Sequence, residues 1–125
     1  MLGMSNRVFI NDKGIVECLV VGDQTAQSVQ SIGKAIQRLL SELKSQHKPA
    51  LFLDDVSNIG QVPPAARSQV INLAKSLSYD RLAMLGKGGI IRMGANLIIR
   101  ASGRGRKMRY FSDRQQALAW LTFKE

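Results

Sequence analysis

One cysteine, one histidine and three prolines are all the chain holds of those residues, and aromatic side chains make up 6% of it. Each scarcity excludes something. A lone Cys18, set in the apolar run "IVECLVV", cannot close an intramolecular disulfide and reads as a small buried hydrophobe rather than a reactive thiol. One His and one Cys cannot build a zinc site from such ligands. A histidine-dependent triad would have to use His47, which lies in the polar tail "KSQHKP" and reads as a solvated surface side chain. There is no run of about 18 apolar residues for a membrane span. The start "MLGMSNRVFINDKG" lacks the basic and then apolar regions of a secretory leader, so a soluble cytoplasmic protein is expected. At 125 residues the chain is the size of a single domain (1–125), able to bury roughly two-thirds of the surface its unfolded form exposes.

Acidic residues are missing from one long region. From Arg81 to Ser112 there are eight cations (Arg81, Lys87, Arg92, Arg100, Arg104, Arg106, Lys107 and Arg109) and no Asp or Glu. Residues 1–80 carry eight basic and seven acidic side chains, whereas 81–125 carry ten and two, so nearly all of the +9 net charge sits in the C-terminal third. Such a field attracts acidic proteins, anionic headgroups or nucleic acid, and it also keeps a small domain soluble with no ligand at all.

Apolar spacing gives the order of elements. "RVFIND" and "GIVECLVVGD" are β-rich runs around "NDKG", whose residues favour the positive φ of a hairpin, so an antiparallel pair opens the chain. Val29, Ile32, Ile36, Leu39, Leu40 and Leu43 recur at helical steps and predict a helix over 25–46, capped by Asp23 or Thr25. "ALFLDD" reads as a central strand covered on both faces. Ala66, Val70, Leu73 and Leu77 predict a second helix over 64–78, with Pro63 and Pro64 at its start, where a missing N–H costs nothing. "RLAMLG" is a strand. In "GGIIRMGANLIIRASG" the residues Ile90, Ile91, Gly94, Leu97, Ile98 and Ala101 form a stripe expected to face the core, while Met93 and Ile99 lie outside it and could serve a homodimer or a mobile lid. "KMRYF" is the last strand, and "SDRQQALAWLTF" a helix with Ser112 and Gln115 as a capping box. The order ββαβαβαβα implies an α/β domain with a mainly parallel sheet and crossover helices.

The stretch "LDDVSNIGQVPPAAR" and this order resemble the STAS fold, the family of sporulation anti-anti-sigma factors and the cytoplasmic domains of sulfate transporters. In that family the central strand ends in an Asp-apolar-Ser pattern, matched here by Asp55, Val56 and Ser57, with Ile59 and Val62 fitting the apolar positions that follow. The Asp-Ser-Ser-Gly motif with its phosphorylated serine would come next. At that place the chain reads Pro63, Pro64, Ala65 and Ala66, so no hydroxyl stands at the phosphoacceptor position and a phosphate switch there is not expected. The ending "RYFSDRQQALAWL" is similar to the SpoIIAA-like, or STAS/Sec14-type, branch. This resemblance implies a non-enzymatic binding module with no ligand common to the branch.

Three clusters are candidate sites. Asp54 and Asp55 end the central strand, where ligands gather in open parallel sheets, and would suit a cation or acid–base chemistry. Adjacent strand residues face opposite ways, however, so the carboxylates do not converge. The alternative has Asp55 accepting N–H bonds in the turn and Asp54 paired with a cation or facing water. "GKGG" (Gly86, Lys87, Gly88, Gly89) opens a helix and could hold an anion, although it matches neither nucleotide-binding fingerprint, with backbone geometry alone as the alternative. Arg92, Arg100, Arg104, Arg106, Lys107 and Arg109, on the third helix and the loop "RASGRGRKMR", are the strongest partner-binding candidates, with a solvated basic loop as the alternative. The expected function is a non-catalytic regulatory or interaction module that uses this basic surface to bind an acidic protein or anionic lipid, without cofactor or metal. Two alternatives stay open: a carrier or sensor of a lipid or small apolar ligand, held in a cavity under the third helix, and nucleic-acid binding.

Overall fold

The first two strands, β1 (Arg7–Ile10) and β2 (Val16–Gly22), pair antiparallel with Arg7 opposite Leu19 and Ile10 opposite Val16. Asn11 shapes the hairpin between them: its side-chain oxygen accepts from the backbone N–H of Lys13 at 2.9 Å and of Ile15 at 3.1 Å. The remaining elements of the computed structural model, which describes residues 5–124, are α1 (Ala26–Ser45), β3 (Leu51–Ile59), α2 (Pro64–Ser76), β4 (Arg81–Leu85), α3 (Gly89–Ser102), β5 (Met108–Phe111) and α4 (Arg114–Thr122). The order is the one read from sequence. The five strands form one sheet in the order β1-β2-β3-β4-β5, parallel from β2 onward.

Strand alternation divides the chain between two cores. Cys18, Phe52, Leu82 and Met84 point to the face covered by α1, α2 and α3. Leu53, Ala83 and Leu85 point to the other, where Ala117 and Leu121 of α4 cover them. The buried Cys18 thiol lies in the first core as a hydrophobe, and burial, followed by the charges of Asp54, Asp55 and Glu17, pushes its pKa up.

Local chemistry fixes the helix ends. Thr25 caps α1, with its hydroxyl accepting from the Ser28 N–H at 3.0 Å and the Ser28 hydroxyl accepting from the Thr25 N–H at 2.9 Å. The last helix starts one residue later than its sequence signal. Asp113, rather than Ser112, is its N-cap, because the stronger carboxylate acceptor takes the Gln115 N–H at 2.8 Å.

The central strand also runs further than "ALFLDD". Between Asp55 and Asn58 it advances three residues while β2 advances two, from Leu19 to Val21. This bulge flips the alternation. Val56 and Ile59 therefore both face the first core, and Asn58 is exposed.

Candidate functional site

Beyond its strand, the "NIGQVPP" segment is tied to the β2–α1 turn. Gly60 donates to the Gly22 carbonyl at 2.7 Å, Gln24 donates through its backbone to the Gln61 carbonyl at 2.9 Å, and the Gln61 N–H donates to Asp23 Oδ1 at 2.8 Å. The backbones come so close that a Cβ on Gly60 would lie 2.8 Å from the Gly22 carbonyl carbon and from the Asp23 nitrogen. Asp55 accepts the Ser57 N–H at 3.0 Å, as expected of an Asx turn, and Pro63 and Pro64 occupy the N-cap and first position of α2. The four family-motif positions, Asp55, Ser57, Pro63 and Pro64, thus define a rigid connection from β3 into α2.

Beneath that connection lies a cavity of about 620 Å³, within the range of about 300–1,000 Å³ usual for small-molecule sites. Its floor is the sheet, through Val20, Phe52, Leu82 and Met84, and its roof is α2 and α3, through Val70, Ala74, Ile91, Gly94, Ile98 and Ala101. The volume has a sequence cause. Ala74 and Ala95, both buried in its wall, leave little side-chain bulk between helix and sheet, and a Cβ on Gly94 would meet nothing within 4 Å. A second hollow of about 530 Å³, between β1 and α1 and lined by Asn6, Thr25 and Ser28 among others, is an open polar groove.

The third-helix stripe does not all face the core. Ile91 and Ile98 pack inward with the buried Ala95, but Ile90 is 86% exposed and Leu97 56%. Both lie at the cavity's rim. Between the inward Ile91 and Ile98, the buried apolar residue of α3 is the small Ala95, which leaves space beneath the helix. Of the two residues outside the stripe, Ile99 packs against the core while Met93 is 64% exposed.

Asp54 is the one acidic side chain in the cavity wall. It is half-buried, and its carboxylate keeps some open surface. Among the described residues its carboxylate makes no hydrogen bond or ion pair, so of the two expectations, a paired cation or an open side, the open side is what the structure has. Burial, reinforced by the negative charge of Asp55, pushes its pKa up to about 7. Asp55 points to the α4 face, so the two acids diverge as their alternation requires, and no group of three His, Cys, Asp or Glu side chains forms a metal-ligand set among the described residues.

The basic candidates are dispersed. Arg104 turns inward, donating to the Leu77 carbonyl at 2.7 Å and lying 5.3 Å from the Tyr79 ring centroid. Arg92 lies 5.7 Å from the Tyr110 ring, and Arg109 is on the opposite sheet face, 5.3 Å from Trp120. Arg100, Arg106 and Lys107 remain exposed without a side-chain partner among the described residues. In "GKGG", Lys87, Gly88 and Gly89 are exposed, and Gly88 holds φ 86° as the N-cap of α3. Gly86 is buried, and a Cβ there would lie 3.0 Å from the Tyr110 hydroxyl. Two of the three glycines therefore have a purely geometric cause.

Sequence reasoning held a cavity under the third helix only as an alternative, without its lining, and it missed Glu17. This residue is buried in β2 and accepts from both Arg114 guanidinium nitrogens of α4, at 2.9 and 2.8 Å, and from the Asn11 amide at 3.0 Å. The Arg114 hydrogen bond holds the Glu17 carboxyl below its ordinary range despite burial. A charge in the apolar run "IVECLVV" was the only available signal.

A domain of this kind, a mostly parallel five-stranded sheet with three helices on one face and one on the other, is the SpoIIAA-like fold. A crystallised protein of the DUF3478 family with a SpoIIAA-like fold, from Shewanella loihica PV-4, superposes with a TM-score of 0.61 at 18% identity, over 94% of this chain and 92% of that one. The SpoIIAA-like family model matches residues 15–122, and the chain belongs to that family. No curated protein matches its sequence. No helix among the described residues is long and apolar enough to cross a membrane.

Proposed function

We propose that the protein is a non-catalytic carrier or sensor that holds a small apolar molecule, or the apolar part of a lipid, beneath α2 and α3. The cavity carries this reading: about 620 Å³ bounded almost wholly by aliphatic side chains. An interior built only for stability is close-packed, and an unfilled apolar volume of this size forfeits dispersion contacts on every wall. The exposed Ile90 and Leu97 at the rim offer a path by which an apolar molecule passes between the helices. No serine switch at the Pro63–Pro64 turn enters this scheme.

The test is displacement of a neutral, environment-sensitive apolar dye by long-chain alcohols, comparing wild type with Gly94→Leu. A leucine at this position has room to fill the cavity, and it replaces a residue that weakens a helix interior by about 1 kcal/mol. The variant is expected to keep or raise its thermal midpoint while losing dye binding. A wild-type protein that takes up no dye, or a folded Gly94→Leu that binds as well, overturns the reading.

A second reading draws on the exposed Arg100, Arg106 and Lys107 at the end of α3 and in the loop after it. These cations, with Lys87, support docking to an anionic partner or surface, and their reversal to Glu should abolish salt-sensitive binding to anionic vesicles without lowering stability.

A further inference from the structure

We infer that the cavity selects an apolar molecule carrying one basic nitrogen, which pairs with the Asp54 carboxylate; this rests on the cavity being a ligand site. Asp54 occupies the middle of β3 with Phe52 and Val56 beside it on the same face, both buried and apolar. An aliphatic residue would satisfy packing there, and a half-buried carboxylate with no protein partner is unfavourable among apolar neighbours. Sheet and turn have made no provision for it: its register partners are Cys18 on β2 and Met84 on β4, neither of which donates to it.

The charged groups around it set the sign of the missing partner. Asp55, on the same strand, adds negative charge. Cys18 is a neutral thiol, its ionisation opposed by burial. The residues that α1 and α3 bring to the cavity are uncharged, and α2 brings Arg67, which is exposed at the rim and donates to the Val62 carbonyl at 3.4 Å. Asp54 therefore makes its part of the wall negative, and the one cation among the described lining residues, Arg67, is exposed at the rim. A carboxylate ligand would be repelled by Asp54, an alcohol would gain one hydrogen bond, and an ammonium group would gain a charge-assisted pair among largely apolar walls. A carboxyl with its pKa pushed up to about 7 is poised to ionise when such a cation arrives.

The experiment compares dodecylamine, dodecanol and dodecanoate as displacers of the same neutral dye, with wild type and Asp54→Asn, which keeps the side-chain shape and removes the charge. The +9 net charge disfavours adsorption of the amine on the outer surface. In wild type the amine is expected to bind about tenfold more tightly than the alcohol, with the carboxylate weakest. Its advantage should grow as the pH is raised through the Asp54 ionisation. In Asp54→Asn the amine should lose about tenfold and its pH dependence, while the alcohol is unchanged. Equal binding of all three to wild type, or an amine preference that survives Asp54→Asn, overturns the inference and leaves the cavity reading intact. Tightest binding by the carboxylate overturns it in favour of Arg67 at the rim. Failure of all three to displace the dye from wild type, or of the dye to bind, overturns both.

Discussion

Glu17 of β2 and Arg114 in the first turn of α4 meet in a two-point ion pair, Oε2 to Nη1 at 2.9 Å and Oε1 to Nη2 at 2.8 Å, across 97 positions of sequence. The pair anchors the start of the only helix on its side of the sheet. Glu17 is 3% exposed while Arg114 keeps an open side to solvent, so the acid depends on the arginine more than the reverse.

Arg114→Ala is therefore expected to cost about 2–4 kcal/mol, measured by urea unfolding at neutral pH. Because the pair lowers the Glu17 pKa below its ordinary 4.5, the stabilisation is full above that value and is lost as pH falls through the folded-state pKa. Wild type should thus lose more stability on acidification than Arg114→Ala, whose unpaired Glu17 is relieved by protonation. Parallel pH profiles would contradict this.

Asp54 works in the opposite sense. Its folded-state pKa is raised from 3.8 to about 7, so the native state holds the proton longer than the unfolded chain does, and the associated stability, full below the ordinary value, is lost as pH rises toward 7. Asp54→Asn should be more stable than wild type by about 1–3 kcal/mol above neutrality, and the difference should shrink steadily toward acid pH. Denaturant midpoints collected across that range read the crossover directly.

Gly60→Ala should lower stability by about 2 kcal/mol or more, since the added methyl meets the backbone of Gly22 and Asp23 as well as the Asp23 carboxylate. Gly94→Ala, on a helix with open space beside it, should gain up to about 1 kcal/mol. Thermal midpoints moving in opposite directions would check both.

The arginines should separate in the same assay. Arg104→Ala loses the Leu77 carbonyl bond and the Tyr79 ring, for about 1–3 kcal/mol. Arg106→Ala and Lys107→Ala should each stay within about 0.5 kcal/mol of wild type.

All nine elements were legible in the sequence because each has an apolar period long enough to show: the α1 stripe from Val29 to Leu43, the α2 stripe, the strands bounded by Gly, Pro and Asp. The bulge after Asp55 was not, because one extra residue leaves no compositional trace and is set by pairing with Leu19 and Val21. The cavity under α3 was legible only as an alternative, and its rim was not, for a different reason. Periodicity places Ile90 and Leu97 in the same stripe as Ile91 and Ile98, and only the tilt of α3 decides which pair is buried. Charge patterning likewise grouped Arg92, Arg104 and Arg109, which alternation and loop geometry send to three different neighbours.

The strand order 1-2-3-4-5 means that every crossover steps in the same direction, laying α1, α2 and α3 side by side on one face. Such a sheet never reverses its winding, and so it lacks the crevice at a reversal point where doubly wound folds seat their ligands beyond the strand ends. Storage space has to be made between layers instead, and its size is written in the helices rather than in the sheet. Capacity in this architecture is then set by a few small residues, Ala74, Gly94 and Ala95 here, each one substitution away from a smaller chamber.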